Sequence, residues 1–200
     1  AMAYRKSQRG LFQDDLYLFY IHAQDLFQND KLDTEKIRTE LNDDITAMCF
    51  TQNDNFLMCG TDTGKIYVLE CLTACNGTTA CHQWNLLKCL ETSHKHEIAK
   101  ICFSATFRYM ATLDVKGQFK IWNGGSWTYI FSYQKEESRL YKHFEWHPYV
   151  ENELIFGKQY YPALYLFNVT QRKVVAGFMN WKEDWELTSM AFNPVTAQLA

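Results

Sequence analysis

Cys71-Leu-Thr-Ala-Cys75-Asn-Gly-Thr-Thr-Ala-Cys81-His82-Gln-Trp-Asn-Leu-Leu-Lys-Cys89 gathers four cysteines and a histidine into a short span. Two chemistries use those residue types. Structural zinc takes thiolate and imidazole ligands as a close C-x2–4-C pair with a second pair at a distance. Cys71 and Cys75 have the first spacing, whereas the adjacent Cys81 and His82 make a geometrically poor second pair. A thiolate nucleophile with an imidazole base is the other possibility, but such partners meet through the fold and seldom by adjacency. A loop of idle or buried thiols asks least of these residues. The 7 cysteines are an odd number, so complete internal pairing is excluded and a reducing compartment is the simpler setting.

Other candidate chemistry is weaker. Gly60-Thr-Asp-Thr-Gly64-Lys65 has three residues between its glycines and an isoleucine after the lysine; a phosphate-cradling Walker loop needs four and a Ser or Thr, so a β-turn is expected. Neighbouring carboxylates at Asp14-Asp15, Asp43-Asp44, Glu136-Glu137 and Glu183-Asp184 carry no cleft signature and read as solvated loops. Trp181, Trp185, Tyr160 and Tyr161 stand near expected loops, where aromatics can anchor a docked peptide or simply pack. No catalytic residue, cofactor or metal site is assigned, and the chain is read as a non-enzyme.

The elements that would hold these residues repeat along the chain. Ile45 to Glu70 aligns without a gap on Ile98 to Asn123, with identities at Ile45/Ile98, Cys49/Cys102, Phe50/Phe103 and Gly64/Gly117. A third copy runs from Tyr141 to Asn168, and a fourth starts at Leu187 and stops at Ala200. The starts are 53, 43 and 46 residues apart, near the roughly 40–45 residues of a four-stranded propeller blade. Short alternating β-type runs are separated by turn residues such as Thr63-Gly64-Lys65 and Lys116-Gly117-Gln118, as antiparallel strands joined by tight turns require. An all-β fold is expected: an incomplete propeller of about three blades plus parts of two more. Residues 1–15 would be a flexible segment, 16–200 the partial propeller, with repeats near 45–70, 98–123, 141–168 and 187–200. Residues 71–93 would be an insertion loop between blades, and Leu16 to Ile21 the last strand of an earlier blade. Three blades and a fraction cannot close a ring, so the chain reads as a piece of a longer protein.

The pattern resembles the WD40 repeat. His96, Phe103, Ala111-Thr112, Gly117 and Trp122-Asn123 match that family's histidine, strand-ending aromatic, small-residue strand, turn glycine and closing tryptophan. The resemblance makes His96, Gly117, Trp122 and Gly64 structural blade positions. Where the family has its turn aspartate this chain has Thr63 and Lys116, so the buried histidine–hydroxyl–aspartate–tryptophan network is expected to be only partial.

Within that fold the chain resembles the fizzy (cell-division-cycle-twenty) family of anaphase-promoting complex activators, including its meiotic branch. Gly60-Thr61-x-x-Gly64, Trp146-His-Pro148-x-x-x-Asn152-x-Leu154, Leu164-Tyr-Leu-Phe-Asn168 and Asp14-Asp-Leu-Tyr17 are similar to stretches of that family. The resemblance implies a non-catalytic adaptor that brings degron-bearing substrates to a ubiquitin ligase. It assigns no peptide-binding residue, because the family's corresponding turns are replaced by Leu113-Asp-Val-Lys-Gly117 and Phe156-Gly-Lys-Gln-Tyr160. A scaffold of an unrelated complex and a small zinc- or thiol-dependent site at 71–89 are the alternatives. Composition agrees with a protein partner. With 47% hydrophobic and 22% charged residues and a net charge of −3, the chain has a globular core's composition and lacks the basic footprint of a nucleic-acid or anionic-membrane binder. No apolar run reaches the roughly 18 residues of a membrane span and no signal-type h-region opens the chain, so a cytoplasmic or nuclear location is expected.

Overall fold

A computed structural model describes residues 2–6, 15–20, 33–37, 41, 43–51, 55–75, 80–90, 94–134, 141–158, 163–179, 187, 189–193, 195–196 and 198–199. All named elements among them are strands. Strands β1 (Met2–Lys6), β2 (Asp15–Tyr20) and β3 (Asp33–Ile37) form a three-stranded antiparallel sheet in chain order. Three four-stranded meanders follow. The first holds β4 (Ile45–Phe50), β5 (Phe56–Thr61), β6 (Ile66–Cys75) and β7 (Ala80–Cys89). The second holds β8 (Ile98–Phe103), β9 (Tyr109–Asp114), β10 (Phe119–Asn123) and β11 (Tyr129–Tyr133). The third holds β12 (Tyr141–Trp146), β13 (Glu153–Lys158), β14 (Ala163–Asn168) and β15 (Lys173–Met179). Their first strands begin at Ile45, Ile98 and Tyr141, where the sequence copies begin, and an isolated Phe192–Leu199 bridge lies in the fourth copy.

Burial explains the strand compositions. β9 is buried at every position after Tyr109, and β5 at every position after Phe56, because an inner strand of a sheet packed on both faces has no side left for polar residues. β8, at the edge of its sheet, alternates instead, with Ile98, Ile101 and Phe103 buried and Ala99 exposed. The edge strands touch across sheets, β4 with β8 and β8 with β12, and so set the sheets face to face. Thr46 Oγ1 donates to the Ile98 carbonyl at 2.7 Å, Lys100 Nζ to the Phe144 carbonyl at 2.7 Å, and Trp146 Nε1 to the Cys102 carbonyl at 3.1 Å. Lys100 also pairs with Glu145.

The largest core cluster fills the space between the second and third sheets. Phe119 meets Phe144 and Phe156 at centroid separations of 5.4 and 5.2 Å, and Tyr141 meets Phe156 edge-on at 4.4 Å. Such pairs add about 0.5–1.5 kcal/mol each beyond the area they bury. A second cluster joins the first and second sheets through Met58, Ile66, Val68, Ile98, Ile101 and Trp122. The first residues of the second and fourth copies each press on a glycine of the sheet before them. A Cβ on Gly60 would sit 2.6 Å from the Ile98 side chain, and one on Gly157 would sit 2.2 Å from Leu187.

Three sequence expectations are corrected. Met2–Lys6, within the segment expected to be flexible, is a strand paired to β2 from Met2↔Phe19 to Lys6↔Asp15. β2 is the middle of its sheet, between β1 and β3, so it is not a closing strand. Most of the expected insertion loop at 71–93 is a hairpin inside the first sheet, paired from Tyr67↔Cys89 to Cys75↔Ala80. β5 pairs β6 only as far as Glu70, so the ends of β6 and β7 run on past the body of the sheet as a ribbon. The extra length went into two strands because backbone groups in a long excursion are best satisfied by pairing with each other.

Candidate functional site

A deeply buried polar constellation lies inside the second sheet. Thr112 in β9 pairs with Lys120 of β10 and Trp122 with Met110, so Thr112 and Trp122 are diagonal neighbours on adjacent strands, and Trp122 Nε1 donates to Thr112 Oγ1 at 3.0 Å. His94, in the connection from β7 to β8, places Nε2 at 2.7 Å from the same hydroxyl and Nδ1 at 3.2 Å from Asp114 Oδ2. Only one assignment of protons satisfies all four side chains. Thr112 Oγ1 accepts from the indole, so its own hydrogen goes to His94 Nε2, and the neutral imidazole carries its proton on Nδ1 and gives it to Asp114. Asp114 Oδ1 accepts the amides of Lys116 and Gln118, both at 2.9 Å, which folds the chain into the turn at Gly117.

Electrostatics follow from that burial. Burial disfavours the imidazolium and holds His94 below its ordinary value, although Asp114 pulls the other way. Burial alone would raise Asp114, but its hydrogen bonds from His94 and from the Gln118 and Lys116 amides outweigh burial and hold it below the ordinary value of 3.8. Threonine hydroxyl, imidazole and carboxylate therefore line up in the order of a nucleophile–base–orienter relay. The order is chemically idle. Thr112 is 0% exposed and Trp122 1%, so no substrate reaches the hydroxyl; the network is a buried clamp that joins the β7–β8 connection to the β9–β10 turn.

In the first sheet the positions 53 residues earlier are apolar or small. Cys59 stands for Thr112 and Leu69 for Trp122, both 0% exposed, and burial pushes the Cys59 thiol up. The polar contacts move outward. Asp43 accepts from Tyr67 Oη at 2.5 Å, Lys65 Nζ at 2.8 Å and Thr63 Oγ1 at 2.9 Å. Lys65 first, then Tyr67, holds the carboxylate below its usual range. Gly64 caps this turn at φ +84°, and a Cβ there would meet the His94 carbonyl oxygen at 2.3 Å and the His96 carbonyl oxygen at 2.7 Å. Glycine is required twice over, for its left-handed backbone and for the close approach of the neighbouring sheet's connection.

No protein-family model matches the chain, and no curated protein matches it. Solved structures do. The RRP9 WD40 repeats superpose with a TM-score of 0.59 at 12% identity, over 76% of this chain and 43% of that one. U3-55K superposes with a TM-score of 0.58 at 12% identity, over the same shares. The computationally designed Ika4 protein gives 0.57 at 16% identity, over 78% of this chain and 84% of that one. The fold is an incomplete WD40-type β-propeller. The match covers 43% of the RRP9 and U3-55K chains, so this chain spans about half their length.

Propeller geometry sorts the sequence expectations for single residues. Gly64 and Gly117 both sit in turns between second and third strands of a blade at positive φ, +84° and +77°, and Trp122 is buried in its network. His96 is exposed; the histidine that enters the blade is His94, two residues earlier, because the connection turns inward before it reaches β8. Nor is the network partial in the second blade. The missing turn carboxylate at Lys116 is supplied by Asp114, two residues upstream at the end of β9. The hydroxyl–tryptophan pair was visible in Ala111-Thr112 and Trp122, and an unused aspartate beside them was the signal for Asp114.

The remaining candidates separate cleanly. Gly60 to Lys65 is a β-turn, with Gly64 N donating to Thr61 O at 3.1 Å and Thr61 N to Lys65 O at 3.0 Å. Cys71 and Cys75 lie on one extended strand, about 13 Å apart at ~3.3 Å per residue, so they cannot close on one zinc ion, whose sulfur ligands lie about 2.3 Å from it. The side chains of Cys75, Cys81 and His82 lie outside the described residues, as do Tyr160, Tyr161, Trp181 and Trp185. Among the described residues no three His, Cys, Asp or Glu side chains gather as a metal site, and no helix is long and apolar enough to cross a membrane.

Proposed function

We propose that this chain is the propeller portion of a non-catalytic protein-binding scaffold that recruits degron-bearing substrates to the anaphase-promoting complex, in the cytoplasm or nucleus of dividing or meiotic cells. One observation carries the scaffold reading: the hydroxyl–imidazole–carboxylate relay is sealed inside a blade, whereas large apolar side chains such as Tyr149 and Val195 stand exposed at the ends of blades. Buried polar groups specify the fold and exposed apolar ones dock partners. The similarity of Gly60-Thr61-x-x-Gly64 and Trp146-His-Pro148 to the fizzy family supports the choice of complex.

The test is a pull-down of the full-length parent protein from dividing or meiotic cells, read by mass spectrometry. Specific recovery of anaphase-promoting complex subunits, lost when the segments flanking this propeller portion are deleted, is the expected result. Stoichiometric recovery of a different complex without those subunits refutes the adaptor and leaves a scaffold of another assembly.

A further inference from the structure

Each blade is a meander, so its first-to-second and third-to-fourth connections emerge at one end and its second-to-third connections at the other. The first of these ends is chemically uneven. Among the described residues its exposed charged side chains are Arg108, Arg172 and Lys173, all positive, although the chain's net charge is −3. The carboxylates in and beside the β12–β13 connection are already engaged, Glu151 accepting from the Ser104 hydroxyl and the Thr106 amide and Glu153 from the Asn168 side-chain amide at 3.4 Å, and Glu70 at the end of β6 is half-buried. The same end exposes apolar Tyr149, Val150 and Val195, with Tyr149 61% and Val195 80% exposed.

Hydrogen bonds and ring contacts link these residues within and between neighbouring blades. The Arg108 guanidinium lies 5.4 Å over the Tyr109 ring, which stacks on Trp146 at 6.1 Å. The next residue, His147, accepts the amides of Tyr149 and Val150 on Nδ1 at 3.1 and 3.0 Å. Tyr149 Oη in turn donates to the Val195 carbonyl at 2.7 Å, tying this blade to the next. On the other side Asn152 joins the turn that carries Arg172, accepting the Val169 amide at 2.8 Å and donating to Thr170 Oγ1 at 3.1 Å. Arg172 holds a left-handed φ of +55° with its guanidinium 5.0 Å over the Phe131 ring. A non-glycine residue kept there against its preference is fixed by its surroundings, and both guanidinia lie within cation–π distance of an aromatic ring.

We propose that this end of the propeller docks an extended acidic peptide segment carrying one apolar anchor residue, the anchor on Tyr149, Val150 and Val195 and its flanking carboxylates on Arg108 and Arg172. This deepens the scaffold reading and rests on it, but it does not depend on which complex the scaffold serves. Charge complementarity selects the partner: pre-placed arginines favour planar carboxylates, and an apolar centre with a charged rim is the usual anatomy of a protein interface. A nucleic acid fits less well, because two arginines and a lysine neutralise few phosphates and the patch offers no gain to a bare backbone.

The test is fluorescence anisotropy of the full chain with a labelled dodecapeptide of Glu and Ser residues around a single central Leu. Controls are the same peptide with Lys for Glu, the same peptide with Ser for Leu, and a labelled single-stranded oligonucleotide of equal length. Expected are saturable binding that weakens with salt, a loss of about fivefold for Arg108→Glu or Arg172→Glu alone, larger for the pair, and a comparable loss for Val195→Asp. Circular dichroism and melting temperature of each variant confirm folding, and Arg172→Gly, which removes the charge and suits the positive φ, covers a charge-reversal variant that fails to fold. Acidic peptide affinity indifferent to these changes, equal binding of the Lys peptide, or tighter binding of the oligonucleotide overturns the proposal. Failure of the pull-down above with success here would discard the complex and keep the surface.

Discussion

Replacing Thr112 by valine removes one hydroxyl from the centre of the second blade at nearly constant volume. The consequences can be counted. The Trp122 N–H loses its acceptor at 3.0 Å and His94 Nε2 loses its partner at 2.7 Å, while neither group has access to water. A buried donor or acceptor left unmatched costs about 1–3 kcal/mol, so Thr112→Val is expected to destabilise by about 2–5 kcal/mol. At about 2–4 °C per kcal/mol for a domain of this size, the melting temperature falls by roughly 4–20 °C. The assay is denaturant unfolding of Thr112→Val, Trp122→Phe and the double variant, followed by circular dichroism. Trp122→Phe leaves the same packing defect in both backgrounds, so any coupling reports the hydrogen bond. The double variant should cost less than the sum of the singles by about 0.5–3 kcal/mol. A single-variant loss below about 1 kcal/mol, or additivity within about 0.5 kcal/mol, would refute the clamp.

Other consequences are simpler to read. Gly64→Ala combines a positive φ with a Cβ 2.3 Å from a backbone oxygen; it should cost at least ~3 kcal/mol and largely abolish soluble expression, and a variant with near-normal melting would show that the β7–β8 connection does not press on this turn. His94 is depressed in the folded state, so its contribution is fully present above the ordinary value of 6.5 and is lost as pH falls below it. Asp114 adds a loss of the same sign below 3.8. Melting temperature measured from pH 7.5 to 5 should therefore fall, and His94→Gln should flatten that slope; an unchanged slope would contradict the neutral buried imidazole. Thiol labelling of the native protein at pH 8 should reach the exposed Cys89 and spare Cys59 and Cys102, the latter pushed up to about 12 by burial, until denaturant is added. Prompt labelling of Cys59 would mean that the first blade opens readily.

The sequence by itself determined the periodic part of this protein. Where each four-stranded unit begins and where its tight turns fall are local properties, fixed by strand-length apolar runs and by turn residues such as Gly64 and Gly117 that tolerate positive φ. Ile45, Ile98 and Tyr141 open their blades because an apolar residue is needed there in every copy. Tertiary structure decided everything that depends on the path of a connection. Nothing local distinguishes His94 from His96; the first points inward only because the chain before β8 packs on the Gly64 turn of the blade before it. Likewise Lys116 left the turn without its carboxylate, and Asp114 could replace it because the end of β9 lies within reach of the same imidazole. The cysteine-rich stretch, read as a loop, became strands because a long excursion satisfies its backbone by pairing with itself. The basic, aromatic end surface was beyond the sequence altogether, since Arg108, Tyr149, Arg172 and Val195 lie far apart along the chain and meet only where the meanders place their connections at one end.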